Sequence, residues 1–266
     1  MSTKRNTKNR YAAIIEKIFF SKYSPGDKEV AFERNDLVRA AKALRVQLPK
    51  NLGDVLYSIR YRSELPKRVL KTQPAGREWV IEGRGRSLYR FRLVAENRIV
   101  PNEQLAAIKI PDATPEIVLS YALSDEQALL AKVRYNRLLD VFLGLATYSL
   151  QNHLRTTVRN LGQVEVDEIY VGIDKRGCQY VLPVQAKGGA DQLSVVQAKQ
   201  DIACCQEKFP HLVCRAISAQ FISADLIALF ELALDGDIVK IIEEKHYLLV
   251  PGDQISSVDL QSYARR

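Results

Sequence analysis

Long apolar runs are missing from the chain of 266 residues. The apolar stretches fall far short of the roughly 18 residues that a membrane-spanning helix requires. The basic start MSTKRNTKNR is not followed by the apolar segment of a signal peptide. The sequence therefore predicts a cytoplasmic protein that makes no contact with a membrane.

Cysteine and histidine are also scarce, with four and three residues respectively. None of the cysteines forms a C-x-x-C pair, whereas a structural zinc site needs four closely spaced soft ligands. We interpret the cysteines as small buried residues.

Several catalytic motifs are absent from the sequence. It contains no G-x-x-x-x-G-K-[ST] phosphate loop, no G-x-S-x-G turn and no H-E-x-x-H helix. We therefore expect no nucleotide cofactor. What remains is an ordinary globular composition, with 47% hydrophobic and 26% charged residues.

Charge is distributed unevenly along the chain. Residues 1–98 carry 23 Lys and Arg against 10 Asp and Glu, a net charge of +13. Residues 99–266 carry 16 against 21, a net charge of −5. A basic segment joined to a mildly acidic one indicates that the first part meets a polyanion, although a basic surface can also serve solubility alone.

The basic segment shows the periodicity of three helices followed by a hairpin. Apolar residues at helical spacing predict helices over residues 10–20, 36–46 and 52–62, with Asn35 as the cap of the second. Alternating residues on both sides of a Gly- and Arg-rich turn predict a two-stranded hairpin over 77–94.

Three helices and a hairpin resemble a winged helix-turn-helix. In that architecture the third helix enters the major groove of DNA and the hairpin lies over the phosphate backbone. A winged helix can also serve as a protein-interaction module, but the arginine-rich hairpin favours nucleic acid. The candidate DNA-binding residues are Arg60, Arg62, Lys67, Arg68, Arg84, Arg86 and Arg90.

The patterns divide the chain into three parts. We predict a winged-helix domain over 1–98, a linker over 99–118 that contains a short strand, and a second domain over 119–266. In the second domain, helical periodicity extends over 123–150 and again over 151–160. Two strands with alternating residues follow, QVEVDEIYVGID and CQYVLPVQAKGG.

These two strands carry the residues that are suited to metal binding or catalysis. Glu165 and Asp167 lie two positions apart and therefore share one face of the first strand, as Gln185 and Lys187 do on the second. Carboxylate and amide oxygens suit Mg²⁺, which keeps several waters as its other ligands. A neighbouring lysine can orient the attacking water and offset phosphate charge.

The segment VDE, followed by QAK, resembles the signature of the PD-(D/E)XK nuclease superfamily. Val166 stands where that signature has proline, and Gln185 stands where it has its second acid, as in Mrr-type and some type II restriction enzymes. The resemblance implies that Asp167 and Gln185 bind Mg²⁺ together with the carbonyl group of Ala186, and that Lys187 is catalytic. It also implies an α+β fold in which helices flank a mixed sheet.

A glutamine at position 185 lowers the negative charge of the predicted metal site. Another carboxylate is expected to compensate, and Glu165, Glu168 and Asp140 are the candidates. We favour Asp140 over Glu126, because the family's helical acid lies close before the first core strand. The second QAK, Gln197–Lys199, follows no strand acid and is interpreted as the solvent-facing side of a helix.

Together these features predict a sequence-specific, Mg²⁺-dependent endonuclease that cleaves double-stranded DNA and belongs to a restriction system. A homodimer is expected, because a two-fold duplex site calls for two-fold protein symmetry. Two alternatives remain open. One is a repair, recombination or modified-DNA nuclease with the same core, and the other is a non-catalytic DNA-binding regulator with a degenerate nuclease fold.

Overall fold

The computed structural model describes residues 2–61, 63–95, 97–189 and 191–264, with the backbone alone for residues 2–9 and Tyr61. The chain divides into two compact units. The first holds Met1–Asn97 and Thr157–Gly162, and the second holds Arg98–Thr156 and Gln163–Arg266. Helices combine with antiparallel and mixed sheets, so the fold is of the predicted α+β class.

The first unit places helices against a small antiparallel sheet. Its elements are α1 (Ser2–Phe20), β1 (Glu29–Glu33), α2 (Arg34–Leu44), α3 (Gly53–Tyr61), α4 (Lys67–Leu70), β2 (Glu78–Gly83) and β3 (Leu88–Val94). The strands lie in the order β1-β3-β2. Phe19 of α1 packs edge-on against Trp79 and Phe91 of the sheet, with ring centroids 5.2 and 5.0 Å away.

Helix α2 begins two residues earlier than the sequence pattern suggests. Glu33, the last residue of β1, is its N-cap, whereas the predicted cap Asn35 lies within the helix. The backbone N–H of Glu33 donates to Oδ2 of Asp36 at 2.8 Å, which completes a capping box. The strand β1, which was not predicted, therefore runs directly into the helix and displaces its start.

The second unit is built on one large sheet. Its elements are β4 (Ala107–Pro111), α5 (Glu116–Ser120), α6 (Asp125–Tyr135), α7 (Leu138–Leu143), β5 (Ala146–Val158), β6 (Gly162–Ile173), β7 (Gln179–Lys187), α8 (Val195–Lys208), β8 (Val213–Cys214), β9 (Ala216–Phe221), β10 (Leu226–Asp235), β11 (Ile238–Val250), a 3₁₀ turn (Gly252–Gln254) and α9 (Ser257–Ala264). The strand order is β4-β11-β10-β9-β7-β6-β5, and β8 pairs with β7 outside this path. The sheet is mixed, since β7 runs parallel to β9 while β10 is antiparallel to both of its neighbours.

Helices cover both faces of this sheet. On one face, residues of α6 and α7 such as Leu129 and Leu138 join a buried apolar cluster with Leu182 and Ala186 of β7. On the other face, α8 contacts Gln185. Adjacent residues of a strand point to opposite faces, so β7 lies between the two helical layers.

The predicted helices over 123–150 and 151–160 are wrong beyond residue 143. Gly144, in a left-handed conformation with φ of 65°, ends α7. The chain then enters β5, which pairs with β6 in the sheet. The segment contains Thr147, Thr156, Thr157 and Val158, which favour strands, and its pairing with β6 overrides the weak helical spacing.

The predicted linker over 99–118 contributes to the second unit. The side chain of Ile99 is buried, and its N–H donates to the carbonyl oxygen of Leu193 at 2.9 Å. Strand β4 lies within the same stretch and pairs in parallel with β11. Across the described residues, no helix combines enough length with enough apolar character to cross a bilayer.

Candidate active site

The candidate site lies where β6 and β7 separate. Their paired residues run from Ile173 opposite Gln179 to Glu168 opposite Val184. Beyond that pair, β7 continues alongside β9, and side chains make the connections to β6. The N–H of Ala186 donates to Oδ2 of Asp167 at 2.9 Å. Asp167 is therefore held at the opening between the strands.

Gln185 makes the second connection between the strands. Its side chain is fully buried, and Nε2 donates to the backbone oxygen of Glu165 at 3.0 Å. Its Oε1 accepts a hydrogen bond from Nε2 of Gln197 at 2.8 Å. The oxygen that the prediction assigns to a metal ion thus has a protein donor in this structure.

Lys187 extends from the end of β7 towards α6. Its Nζ lies 3.9 Å from Oε1 of Glu126, the second residue of that helix. The close approach depends on Gly188, because a Cβ atom at this position would stand 2.4 Å from Cβ of Asp125. The end of β7 and the start of α6 can therefore meet only when residue 188 has no side chain.

Three acids converge on this lysine. Burial raises the pKa of Asp167, and the N–H of Ala186 and the charge of Lys187 partly offset that rise. The pKa of Glu126 is also raised by burial, with Lys187 lowering it and the charge of Asp167 raising it further. Burial and the charge of Asp167 raise the pKa of Asp201, a residue of α8, well above its usual range. Negative charge in this cluster is therefore poorly compensated by protein groups.

The structure brings Glu126 to the site and leaves Asp140 elsewhere. Asp140 lies in α7, where it pairs with Arg137 and accepts a hydrogen bond from the N–H of Thr147 at 2.9 Å. It borders a small cavity of about 80 Å³ that is lined also by Tyr170. The preference for Asp140 over Glu126 relied on the position of Asp140 close before the first core strand, whereas the structure places Glu126 beside Lys187.

The other two candidate carboxylates differ in position. Glu165 is half-buried and forms an ion pair with Arg155 at 3.0 Å, and its charge raises the pKa of Asp167. Glu168 is completely buried and binds Arg134 and Ser149 at 2.7 and 2.6 Å. Because it follows Asp167 directly, Glu168 points to the opposite face of β6. Glu165 is therefore a neighbour of the site, and Glu168 is not.

The second QAK tripeptide is not a solvent-facing stretch, contrary to the prediction. Ala198 is buried, and Gln197 contacts Gln185 as described above. Only Lys199 points away, to an ion pair with Asp237 at 2.7 Å. Sequence reasoning missed Gln197 because a polar residue of a helix is normally assigned to the solvent-facing side, and the sequence does not reveal that Gln197 faces a buried amide.

His153 is a further residue near the site. It lies in β5 with a positive φ of 49°, which is uncommon for a residue other than glycine. Its charge lowers the pKa of both Asp167 and Glu126.

The predicted DNA-binding residues of the first unit are of two kinds. Arg62 lies outside the described residues. Lys67 and Arg86 are exposed. Four arginines have partners within the unit: Arg68 pairs with Glu16, Arg84 with Glu29, and Arg90 with Glu29 and Glu82, while Arg60 lies over the ring of Tyr89. The acids partly offset the positive charge of the hairpin.

No protein-family model, no curated protein and no solved structure matches this chain. Its function is therefore argued from its own residues.

The acids around Lys187 are the groups that a metal ion would meet. Among the described residues, no group of three or more His, Cys, Asp or Glu side chains is arranged to hold one. Two carboxylates, Asp167 and Glu126, do lie around Lys187, and the charge of Asp167 raises the pKa of Glu126. Mg²⁺ commonly binds through one or two carboxylates and retains several waters, so this pair fits that ion better than a cation that needs a complete protein cage.

Proposed function

We propose that the protein is a Mg²⁺-dependent endonuclease that hydrolyses phosphodiester bonds of double-stranded DNA, in the manner of a type II restriction enzyme. The observation that carries the proposal is the meeting of Asp167, Lys187 and Glu126 at the opening between β6 and β7. The order α6-α7-β5-β6-β7-α8-β9 supports it, because the PD-(D/E)XK superfamily that the motif resembles is built on helix–strand–strand–strand–helix–strand.

Asp167 and Glu126 would hold the metal ion. When bound, Mg²⁺ supplies a Lewis acid that activates water and stabilises charge on phosphate. Lys187 is well placed to contact a phosphate oxygen or the attacking water, since its side chain is only 13% exposed and its ammonium group faces the two acids. Gln185 orients the end of β7 in this proposal, and the metal-ligand role predicted for it remains untested.

The first unit would supply DNA affinity. Its order α1-β1-α2-α3-α4-β2-β3 and its antiparallel sheet resemble a winged helix-turn-helix with one additional short helix, α4, and this resemblance supports the proposal. The exposed Lys67 and Arg86 are the residues most available to phosphates. A homodimer acting in the cytoplasm completes the proposal, because cleavage of both strands requires two such sites.

The activity is tested on unmethylated phage DNA. The protein is incubated with the DNA in Mg²⁺ or in EDTA, and the products are separated on a gel and their ends sequenced. Discrete fragments in Mg²⁺ alone are the expected result, and the ends give the recognition site. A smear or cleavage of branched DNA alone would instead indicate a repair or modified-DNA nuclease.

DNA affinity provides a separate prediction. Replacing Lys67 and Arg86 together by alanine is expected to weaken binding to all duplexes alike, and to reduce the slope of log affinity against log salt by about 2, one for each lost phosphate contact. Binding is measured by fluorescence anisotropy with EDTA present. Arg176→Ala is the matched control, since Arg176 is exposed in the second unit and pairs with Asp174. Equal salt slopes for the double variant and the control would contradict the prediction.

A second candidate function is a DNA-binding regulator without catalysis. It is favoured by the internal hydrogen bond to Oε1 of Gln185, which leaves fewer metal ligands than an acidic residue would. DNA that is shifted on a gel but never cut, whatever its methylation or structure, would support this candidate over the nuclease.

A further inference from the structure

A chain of three polar side chains, of which Gln185 and Asp201 are buried and Gln197 is half-buried, lies directly behind the candidate site. Gln197 of α8 donates from Nε2 to Oε1 of Gln185 at 2.8 Å, and Gln185 donates from Nε2 to Oδ1 of Asp201 at 3.4 Å. Gln185 is fully buried, and the exposed fraction of Asp201 is 2%. Two residues of α8, one helical turn apart, therefore form hydrogen bonds with the same amide group.

The Gln185 amide also crosses the opening between the strands. One N–H of its Nε2 is directed to the carbonyl oxygen of Glu165 in β6, beside the bond from Ala186 to Asp167. Gln185, Ala186 and Lys187 are consecutive residues of β7. The position of this amide thus determines how the end of β7 is held against β6, and with it the spacing of Asp167 and Lys187.

Asp201 distinguishes between the two possible orientations of that amide. A primary amide has two N–H donors and one acceptor oxygen. In the observed orientation the donors meet two oxygens, from Glu165 and Asp201, and the acceptor meets the N–H of Gln197. Without the Asp201 carboxyl group, one buried N–H of the Gln185 amide has no acceptor. The observed orientation of the amide is then no longer favoured over the flipped one.

We propose that Asp201 is a positioning residue that orients the Gln185 amide and thereby ties β7 to β6 at the candidate active site. The effect on cleavage rests on the proposed function, whereas the effect on the strands does not. Asp201 acts here as a hydrogen-bond acceptor, a role that asparagine can also fill.

The structural part is tested by amide hydrogen exchange followed by NMR. Asp201→Ala is expected to increase the exchange rate of the Ala186 N–H by about tenfold, the effect of weakening one hydrogen bond. The N–H of Leu182 lies within the paired part of β7, and the change in its exchange rate reports general destabilisation. This change is subtracted from the change at Ala186. Asp201→Asn is expected to stay within about twofold of the wild type, because its side-chain oxygen still accepts from Gln185.

A matched control separates positioning from simple loss of stability. Ile202, the next residue of α8, is also buried, and Ile202→Val removes one methylene group without touching Gln185. Exchange at Ala186 that is no faster in Asp201→Ala than in Ile202→Val would overturn the proposal. If Asp201→Ala does not fold, Gln185→Met takes its place, and an unchanged Ala186 rate in that variant would overturn the proposal equally.

Cleavage kinetics complete the test. Asp201→Ala is expected to lower kcat by about 100-fold with little change in KM, since a small displacement of reacting groups costs about that factor. A rise in KM with unchanged kcat would contradict a positioning role. If the wild-type protein cuts no DNA, the proposed function fails, while the exchange rates at Ala186 still decide whether Asp201 positions the strands.

Discussion

Replacing Lys187 by alanine is expected to lower the rate of Mg²⁺-dependent DNA cleavage by about a thousandfold, the range observed when a group that stabilises charge or transfers a proton is lost. The ammonium group lies near Asp167 and Glu126, and its removal leaves two acids facing the phosphate. Single-turnover cleavage of a labelled duplex measures the effect, with DNA binding measured separately.

The second QAK tripeptide supplies the control for this experiment. Lys199 has the same two preceding residues but pairs with Asp237, which lies between β10 and β11. Lys199→Ala is expected to cleave within about twofold of the wild type, because Lys199 pairs with Asp237 and not with an acid of the candidate site. Similar losses in both variants, or cleavage by Lys187→Ala at the wild-type rate, would exclude Lys187 from catalysis.

Replacing Glu126 by glutamine is expected to lower cleavage by about a hundredfold, and to raise the Mg²⁺ concentration needed for half-maximal activity. The change removes one of the two carboxylates that fit the metal ion, while size and hydrogen-bonding capacity are kept. The measurement is the cleavage rate over a Mg²⁺ titration.

Asp140→Asn is the counterpart to Glu126→Gln. It alters an acid that binds Arg137 and Thr147 away from the site, so its Mg²⁺ dependence should match the wild type. Its expected effect is on stability, about 1 kcal/mol for a weakened hydrogen bond. A shifted Mg²⁺ requirement in Asp140→Asn together with none in Glu126→Gln would restore the assignment that the sequence alone favoured.

The strand pair at the centre of the site was predictable from sequence. The alternation of residues in β6 and β7 and the short turn between them are local properties, and they put Asp167 and Lys187 on neighbouring strands. The structure pairs these strands as that pattern requires, although the roles of the residues remain predictions.

The helical side of the site was not predictable in the same way. Residues 146–158 have a spacing compatible with a helix, but pairing with β6 makes them β5. The sequence pattern favoured Asp140 as the helical acid, whereas the structure places Glu126 of α6 beside Lys187 and Asp140 in α7. A single sequence does not show whether helical propensity or pairing with a distant strand determines the structure of such a segment.

The hydrogen-bond partners of Gln185 on α8 illustrate a second limit of sequence-based prediction. Gln197 and Asp201 look like ordinary polar residues of an amphipathic helix. Their role depends on which side of α8 faces the sheet, and on the fact that a polar residue of β7 points towards it. Polar residues on a buried helix face are exceptions to the apolar pattern, and the pattern treats them as solvent-exposed.

The meeting of Glu126 and Lys187 beside Gly188 also has a consequence for the folding of the chain. The two residues are far apart in the chain, and contacts of such long sequence separation form late, after the loop between them has been ordered. A partly folded chain can contain the β6–β7 hairpin before α6 has docked on it. The proposed nuclease would then become active only after α6 has docked on β7, so that incomplete molecules present little danger to the DNA of the cell that makes them.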